Sequence, residues 1–457
     1  MDQYTLISCI GKSDPIRGLN DGPMLHIVRN YHPKQVIFLL SEEIKTDEQL
    51  CEHNRRAIHM LEPECRISEI DTVIQNVHSF DTLSDVLPSI CSKIKRCSSE
   101  EKILVNISSG TPQIQAALCM IAISDPEKYI PIQVETPEHS SNKEPYIDAK
   151  KNTIEEYMDN NLDNEPDAVS RCREPKLLNF RKPILQFQIL SLTNNYDYSG
   201  ALQLFKSNES IFNEKTGLLL THAQKRLNLE HKQAVALAKK LNVEKELYPV
   251  KGSDASKLIE YYNSMKIKQY RNELNDFALR VEIMALYFGY FLLEKCLGIK
   301  KLTDIAVNKG LNGSDKYILS QEKCQKNLPG LEGYLNEKFC ENYQWSYPLN
   351  ARTISYIAEF LISKKEEYAR YRECGEELIK WTELTSSVRN PAAHTIIAIT
   401  DDEIRRAYEN KDSKTLCKAM RKVLIQALSN VEKSENVKAA MDIYQHINKM
   451  ISESMEE

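Results

Sequence analysis

Ile103-Leu104-Val105-Asn106-Ile107-Ser108-Ser109-Gly110-Thr111-Pro112-Gln113 passes in one short window from an apolar, β-branched run to the entry of a helix. Ile103 to Ile107 has the composition of a strand buried on both faces. Thr111 is a natural helix cap, and Pro112 suits the first helical position, where its missing N–H would have had no partner. The run from Ile114 to Ile123 then continues as helix. A strand that turns directly into a helix is half of a strand–helix–strand unit. Outward from it the same alternation recurs. Tyr4 to Ile10 reads as a first strand ending at Gly11, Gln35 to Leu40 as a second and Ile130 to Val134 as a further one. Between them Thr82 to Cys97 carries Leu83, Val86, Leu87, Ile90 and Ile94 at helical spacing. This alternation predicts a Rossmann-like parallel sheet with right-handed crossovers.

In such sheets ligands sit beyond the C-terminal strand ends, where helix N-termini present amides. Two loops hold that position: Gly11-Lys12-Ser13-Asp14-Pro15-Ile16-Arg17 and Asn106 to Gln113. Their hydroxyls and amides suit phosphate or ribose. Neither is a Gly-x-x-x-x-Gly-Lys or a Gly-x-Gly-x-x-Gly loop, which argues against an ATPase or a dehydrogenase. Taken singly, each could be a plain turn rich in capping residues. Two at the same sheet edge favour a pocket.

After the sheet the pattern changes. Glu135 to Arg173 is polar and broken by Pro137, Pro145 and Pro166, and reads as a domain exit. From Lys176 onward no strand pattern is evident. Ile184 to Leu192, Gly200 to Phe205 and Thr216 to Leu241 read as helices. Ser253 or Asp254 is placed to cap the next one. Asn272 to Leu297 is the clearest long helix, with Leu274, Phe277, Val281, Met284, Phe288 and Leu292 on one stripe. Ile354 to Ile362, Gly375 to Leu384 and Leu416 to Val431 follow, and Thr400-Asp401-Asp402-Glu403 is a capping-box signature. The expected class is multidomain, α/β followed by all-α. The expected division is a sheet domain over 1–170, a helical connector over 171–255 and a helical bundle over 256–457.

The 457 residues carry a net charge of −5, so attraction to nucleic acid would have to come from a local patch. Twelve cysteines lie scattered without a Cys-x-x-Cys pair, and Asp2 stands where a secretory leader would be basic. Both point to reduced thiols in a cytoplasm. The longest apolar run, Ile283 to Leu293, falls short of the ~20 residues a membrane span needs.

Arg389-Asn390-Pro391-Ala392-Ala393-His394 gathers a permanent cation, an amide and an imidazole. Asn390-Pro391 reads as a cap and first helical position, which puts His394 about one turn inside the helix. The dipole at that end favours an anion and keeps a neutral imidazole available as a base. Such a set suits metal-free cleavage of a phosphodiester: histidine moves protons near neutral pH, and arginine matches the added charge of a five-coordinate phosphorus. The plain alternative is a cap, a surface ion-pair partner and a satisfied polar ring.

The helical half resembles the HEPN ribonuclease domains, whose signature is Arg, a polar residue, spacers and then His; Arg389, Asn390 and His394 match it. The N-terminal third resembles the CARF sensor domain of type III CRISPR systems. Gly11 to Arg17 with Asp21-Gly22-Pro23 and His26 matches its first-strand motif, and Asn106 to Gln113 its later Ser-Gly-Thr-Pro loop. Together they are similar to the Csm-type CARF–HEPN ribonucleases over about 1–140 and 265–430. The resemblance implies a homodimeric RNA endonuclease of antiviral defence that needs no metal or other cofactor. Its activator would be a cyclic oligoadenylate, hexa- rather than tetra-adenylate, and its substrate single-stranded RNA rather than DNA. It implies catalysis by Arg389, Asn390 and His394, and ligand contacts from Gly11, Ser13, Arg17, Asn106, Ser109, Gly110 and Thr111. It leaves open a side activity of the sensor on its own ligand, as known among relatives. Two other readings stand beside it. One is a ligand-sensing regulator with a non-catalytic helical half; the other is a nucleotide-dependent metabolic enzyme, disfavoured by the lack of a phosphate-cradling glycine loop.

Overall fold

The computed structural model describes residues 4–456 other than 71–73, 75, 84–85, 87–89, 91–101, 138–152, 311–315, 342 and 390–397. It falls into two compact units, Met1–Pro183 and Ile184–Glu457.

The first unit is built on strands β1 (Tyr4–Cys9), β4 (Gln35–Leu39), β5 (Arg66–Glu69), β6 (Lys102–Asn106), β7 (Tyr129–Val134) and β8 (Cys172–Arg173). A small hairpin of β2 (Ile16–Arg17) and β3 (Asn20–Asp21) follows β1. The sheet order is β5-β4-β1-β6-β7-β8, parallel throughout except for β8. Helices α1 (Pro23–Tyr31), α2 (Glu42–Cys51), α3 (His53–Leu61), α4 (Pro112–Ser124) and α5 (Ile154–Asp159) complete the unit among the described residues. Successive strand residues feed opposite cores. Leu6, Val36, Phe38 and Leu104 join Met24, Leu25 and Val28 on one face. Ile7, Ile37, Ile103 and Val105 join Ile114, Leu118 and Ile121 on the other. Burial on both sides explains why these strands read as unbroken apolar runs.

The expected Rossmann-like sheet is present, with two corrections. The segment read as a domain exit returns to the sheet: α5 packs against α3, and β8 adds an antiparallel edge beside β7. Two residues of strand carry no readable periodicity. Strand β5 was also not anticipated, because Arg-Ile-Ser-Glu is half exposed and polar.

The second unit is helical, opening with α6 (Leu178–Asn194), α7 (Tyr198–Lys206), α8 (Glu214–Leu227), α9 (His231–Lys240), α10 (Glu244–Leu247), α11 (Ser253–Tyr270) and α12 (Leu274–Lys295). The expected continuous helix over Thr216 to Leu241 is two helices, since Leu229 has a left-handed backbone (φ 62°) that ends the first. Gly252, not Ser253 or Asp254, occupies the cap of α11, and its N–H donates to Glu432 Oε1 at 2.7 Å. A short antiparallel hairpin, β9 (Ala306–Asn308) with β10 (Tyr317–Leu319), corrects the strand-free expectation. Helix α12 is central: Phe277, Val281, Met284, Phe288 and Leu292 are buried, and Phe288 meets the fully buried Trp381 at 5.3 Å between ring centroids. Each such side chain stabilises the fold by roughly 1.5–3 kcal/mol. A second core joins Ile189, Tyr198, Leu219 and Leu220 to the C-terminal helix Ile443–Glu456. Among the described residues no helix is long and apolar enough to cross a membrane.

Candidate functional site

At the C-terminal ends of β1 and β6 a cavity of about 580 Å³ opens. Of the expected ligand residues, Gly11, Ser13, Arg17, Gly110 and Thr111 line it. Asn106 and Ser109 do not. Both are buried behind the wall: Asn106 Nδ2 donates to Ser8 Oγ (2.8 Å) and to Ser109 Oγ (2.9 Å), and its Oδ1 accepts the Ser108 N–H (2.9 Å). They brace the second loop from beneath. Gly110 has φ +87°, and a Cβ there would lie 2.9 Å from Cys9 Sγ, so the loop requires glycine at this point. Thr111 caps α4 as expected and also donates to Val77 O.

The first loop is held by a carboxylate. Asp14 Oδ2 accepts the Gly11 N–H (3.0 Å) and Oδ1 the Met24 N–H (2.9 Å). Burial pushes its carboxyl up to about 6, against those bonds and one from Ser109. Burial likewise pushes the Cys9 thiol up to about 12, so Cys9 is an inert wall rather than a nucleophile. Sequence reasoning missed Lys12, Ser41, Glu43, Ser108 and His78 on the lining. Ser41 and Glu43 come from the entry of α2 and His78 from a turn, none of them within a motif, and they carried no signal. Lys12 Nζ and Glu43 Oε1 face each other at 2.9 Å, both more than half exposed.

Below the hairpin, Asp21, His26 and Asp163 converge closely enough to suggest a metal site. Their oxygens are already engaged. Asp21 accepts from Arg29 Nε (2.6 Å) and Asn161 Nδ2 (2.6 Å), while Asp163 Oδ2 accepts the Asp21 N–H (2.6 Å) and Arg171 (2.7 Å). His26 Nε2 accepts the Arg171 N–H at 2.9 Å. Two guanidinium groups fill the place a cation would take, so the cluster is a clamp tying the motif around Asp21 to Asn161 and Arg171.

In the helical unit, Asn390 and His394 lie outside the described residues. Arg389 ends a π-helical turn, Thr385–Arg389, that continues the helix Arg372–Leu384. Thr385, Ser386 and Ser387 each donate a hydroxyl to the carbonyl four residues earlier, which loosens the regular ladder. Such turns recur at functional sites. Beyond the undescribed segment, the Ile399 N–H donates to Asn275 Oδ1 at the start of α12 (2.8 Å), and Thr400 forms the expected capping box with Glu403. Both flanks of the motif are therefore fixed to the bundle.

Family models match in chain order: the Cas_Csm6 CARF domain over residues 64–172, the Csm6 6H domain over 175–227 and the Cas_Csm6 HEPN domain over 247–452. A CRISPR system endoribonuclease Csm6 from Enterococcus italicus is 35% identical over 216 residues, 46% of this chain and 50% of that protein. The chain thus spans about half the length of that relative. One of the same name from Mycobacterium tuberculosis is 28% identical over 406 residues, 88% of this chain and 90% of the other. Among solved structures, Enterococcus italicus Csm6 bound to cyclic hexa-2′-fluoro-hexa-dAMP has the same fold, with TM-score 0.69 and 23% identity over 99% of this chain and 100% of the other. With the sheet, the helical bundle and these three domains in order, the chain belongs to the Csm6 family of CARF–HEPN proteins.

Proposed function

We propose that this chain is a single-stranded RNA endoribonuclease of type III CRISPR defence, acting in the cytoplasm as a homodimer and switched on by a cyclic oligoadenylate. The observation that carries the reading is the joint presence of a polar pocket at the sheet's strand ends and the Csm6 sensor and HEPN domains in one chain. The sheet unit, which continues past the expected boundary at 170 through β8, would sense, the helices up to 255 connect, and 256–457 cut. Hexa-adenylate is the favoured ring, in keeping with the hexanucleotide analogue in the related structure's name. Gly11, Ser13, Arg17, Gly110 and Thr111 would contact the ligand, with Asn106 and Ser109 holding the second loop in shape.

In the reaction the RNA 2′-hydroxyl attacks the adjacent phosphorus, leaving a 2′,3′-cyclic phosphate and a 5′-hydroxyl. The nucleophile belongs to the substrate, so neither a metal-bound water nor a protein nucleophile is needed. His394 would move a proton at the 2′- or 5′-oxygen. Arg389 would stabilise the phosphorane, a contribution of roughly 3–4 kcal/mol for one placed donor. Asn390 would position the phosphate. Two-fold symmetry would double this set in one cleft, and ligand bound at the sensors would alter the separation of the two copies.

The test is cleavage of matched RNA and DNA strands with cyclic tetra- and hexa-adenylate supplied separately and EDTA present. The expected outcome is RNA cleavage alone, with cyclic-phosphate ends, stronger with the hexamer and abolished by His394→Ala. Full activity in that variant would remove the assignment.

A further inference from the structure

A larger cavity, about 900 Å³, lies within the helical unit and belongs to neither site above. Its floor is the buried pair Arg226–Glu260, with the Arg226 guanidinium 4.4 Å above the Tyr248 ring. Tyr261 of α11, Tyr287 and Tyr290 of α12 and Tyr317 of β10 supply aromatic walls. Lys251 and Lys257 stand exposed at the rim without an ion-pair partner among the described residues, and Arg280 lies 5.4 Å from the Tyr261 ring. Of the rim acids, Glu294 accepts the Leu302 N–H (2.8 Å) and Glu244 lies 3.6 Å from Lys239, while the exposed Asp254 accepts the Ser253 hydroxyl (3.4 Å) and stands between the two lysines in sequence.

The cavity is also linked to the Arg389 segment. Asn275, Leu279, Ile283 and Tyr287 follow one another at four-residue steps along α12, and the last three are exposed. Asn275 holds Ile399, just past the His394 segment, while Tyr287 lines the cavity. From one to the other the helix rises about 18 Å, a distance that a few nucleotides of single strand can span.

We propose that this cleft is an accessory RNA-binding track, gripping the single strand a few nucleotides from the cut; it rests on the reading of the chain as a ribonuclease. A base stacks on Tyr287, the exposed ring of the four, and Lys251 and Lys257 take the phosphates. Stacking tolerates any base, so the track adds affinity without adding sequence preference. A second copy of the chain is the competing occupant, and the test below separates the two.

The test uses the full chain carrying His394→Ala, so that RNA survives, and the fluorescence anisotropy of a labelled, unstructured RNA of about 20 nucleotides. Adding Tyr287→Ala is expected to weaken binding roughly 5- to 30-fold, whereas Tyr287→Phe, which keeps the ring, retains it. Adding Lys257→Ala should flatten the plot of log affinity against log salt by about 0.7, the share of one phosphate contact on a single strand. Unchanged affinity and slope in these variants overturn the proposal. So does light scattering in which Tyr287→Ala turns a dimer into monomers, which would make the cleft a chain-to-chain contact. Cleavage by the chain with His394 intact is scored separately. Binding that depends on Tyr287 without any cleavage would sink the nuclease reading alone, and cleavage without that dependence would sink the track alone.

Discussion

Replacing Arg226 by methionine tests how the helical unit is held together. Arg226 on α8 is 3% exposed and Glu260 on α11 is 9% exposed. Arg226 Nε lies 2.9 Å from Glu260 Oε2, and Nη1 donates to Leu247 O at 2.8 Å. Burial works against the guanidinium's charge, but Glu260 and the neighbouring tyrosines more than compensate, raising its affinity for the proton. Methionine keeps much of the volume and leaves the Glu260 carboxylate without the cation that offsets its desolvation. Breaking such a pair from one side costs about 3–5 kcal/mol. For a unit of this size that lowers the melting temperature by roughly 6–20 °C. Glu260→Leu alone should cost a similar amount, stranding the guanidinium. The double variant should recover most of the loss, because two apolar side chains replace both charges. Thermal and urea melts of the four proteins give the coupling directly. A double variant as unstable as the sum of the singles would refute the argument and assign the cost to packing.

Three further outcomes concern the sensor. The Asp14 carboxyl is raised to about 6, above its unfolded value, so its contribution to stability is present at acidic pH and is lost as pH rises through about 6. That amounts to roughly 3 kcal/mol, and Asp14→Asn should flatten this part of the pH profile; identical profiles would count against it. Glu43→Gln removes a carboxylate from the mouth of a site proposed to take a polyanion, so calorimetry should show the cyclic hexa-adenylate bound about three- to tenfold more tightly. Weaker binding would mean that Glu43 is a ligand contact. Asn106→Ala leaves Ser8, Ser108 and Ser109 short of partners, at a cost of about 2–4 kcal/mol in unfolding experiments, and should lower ligand affinity although Asn106 lies outside the cavity lining. Unaltered stability would deny it the bracing role.

What could be read from the chain followed how local the physics was. Strands β1, β4 and β6 were legible because burial on both faces leaves an unbroken apolar run. The entry of α4 was legible because Thr111 and Pro112 act on their own turn, and the stripe of α12 because one helix carries it whole. Strands β5 and β8 were hidden, the first by half-exposed polar residues and the second by its length. In the sensor loops, the residue types proper to a phosphate site were visible, but not which of them face the cavity. Asn106 and Ser109 turn inward to each other, a choice set by Ser8 on a strand distant in sequence. Ser41 and His78 reach the cavity only because α2 and the Val77 turn pack beside it. The pairing of Arg226 with Glu260 likewise depends on how α8 meets α11, and no spacing announces it.

The clamp around Asp21 has a consequence for how the protein is made. Its donors Asn161 and Arg171 come 140 and 150 residues after the turn they secure. While the chain is emerging from a ribosome, the Ser13–Arg17 loop therefore precedes its own fastening, and the sensor cannot mature until β8 has been delivered. A fragment cut near residue 150, after every parallel strand, would keep the sheet and leave buried Asp21 short of two of its donors.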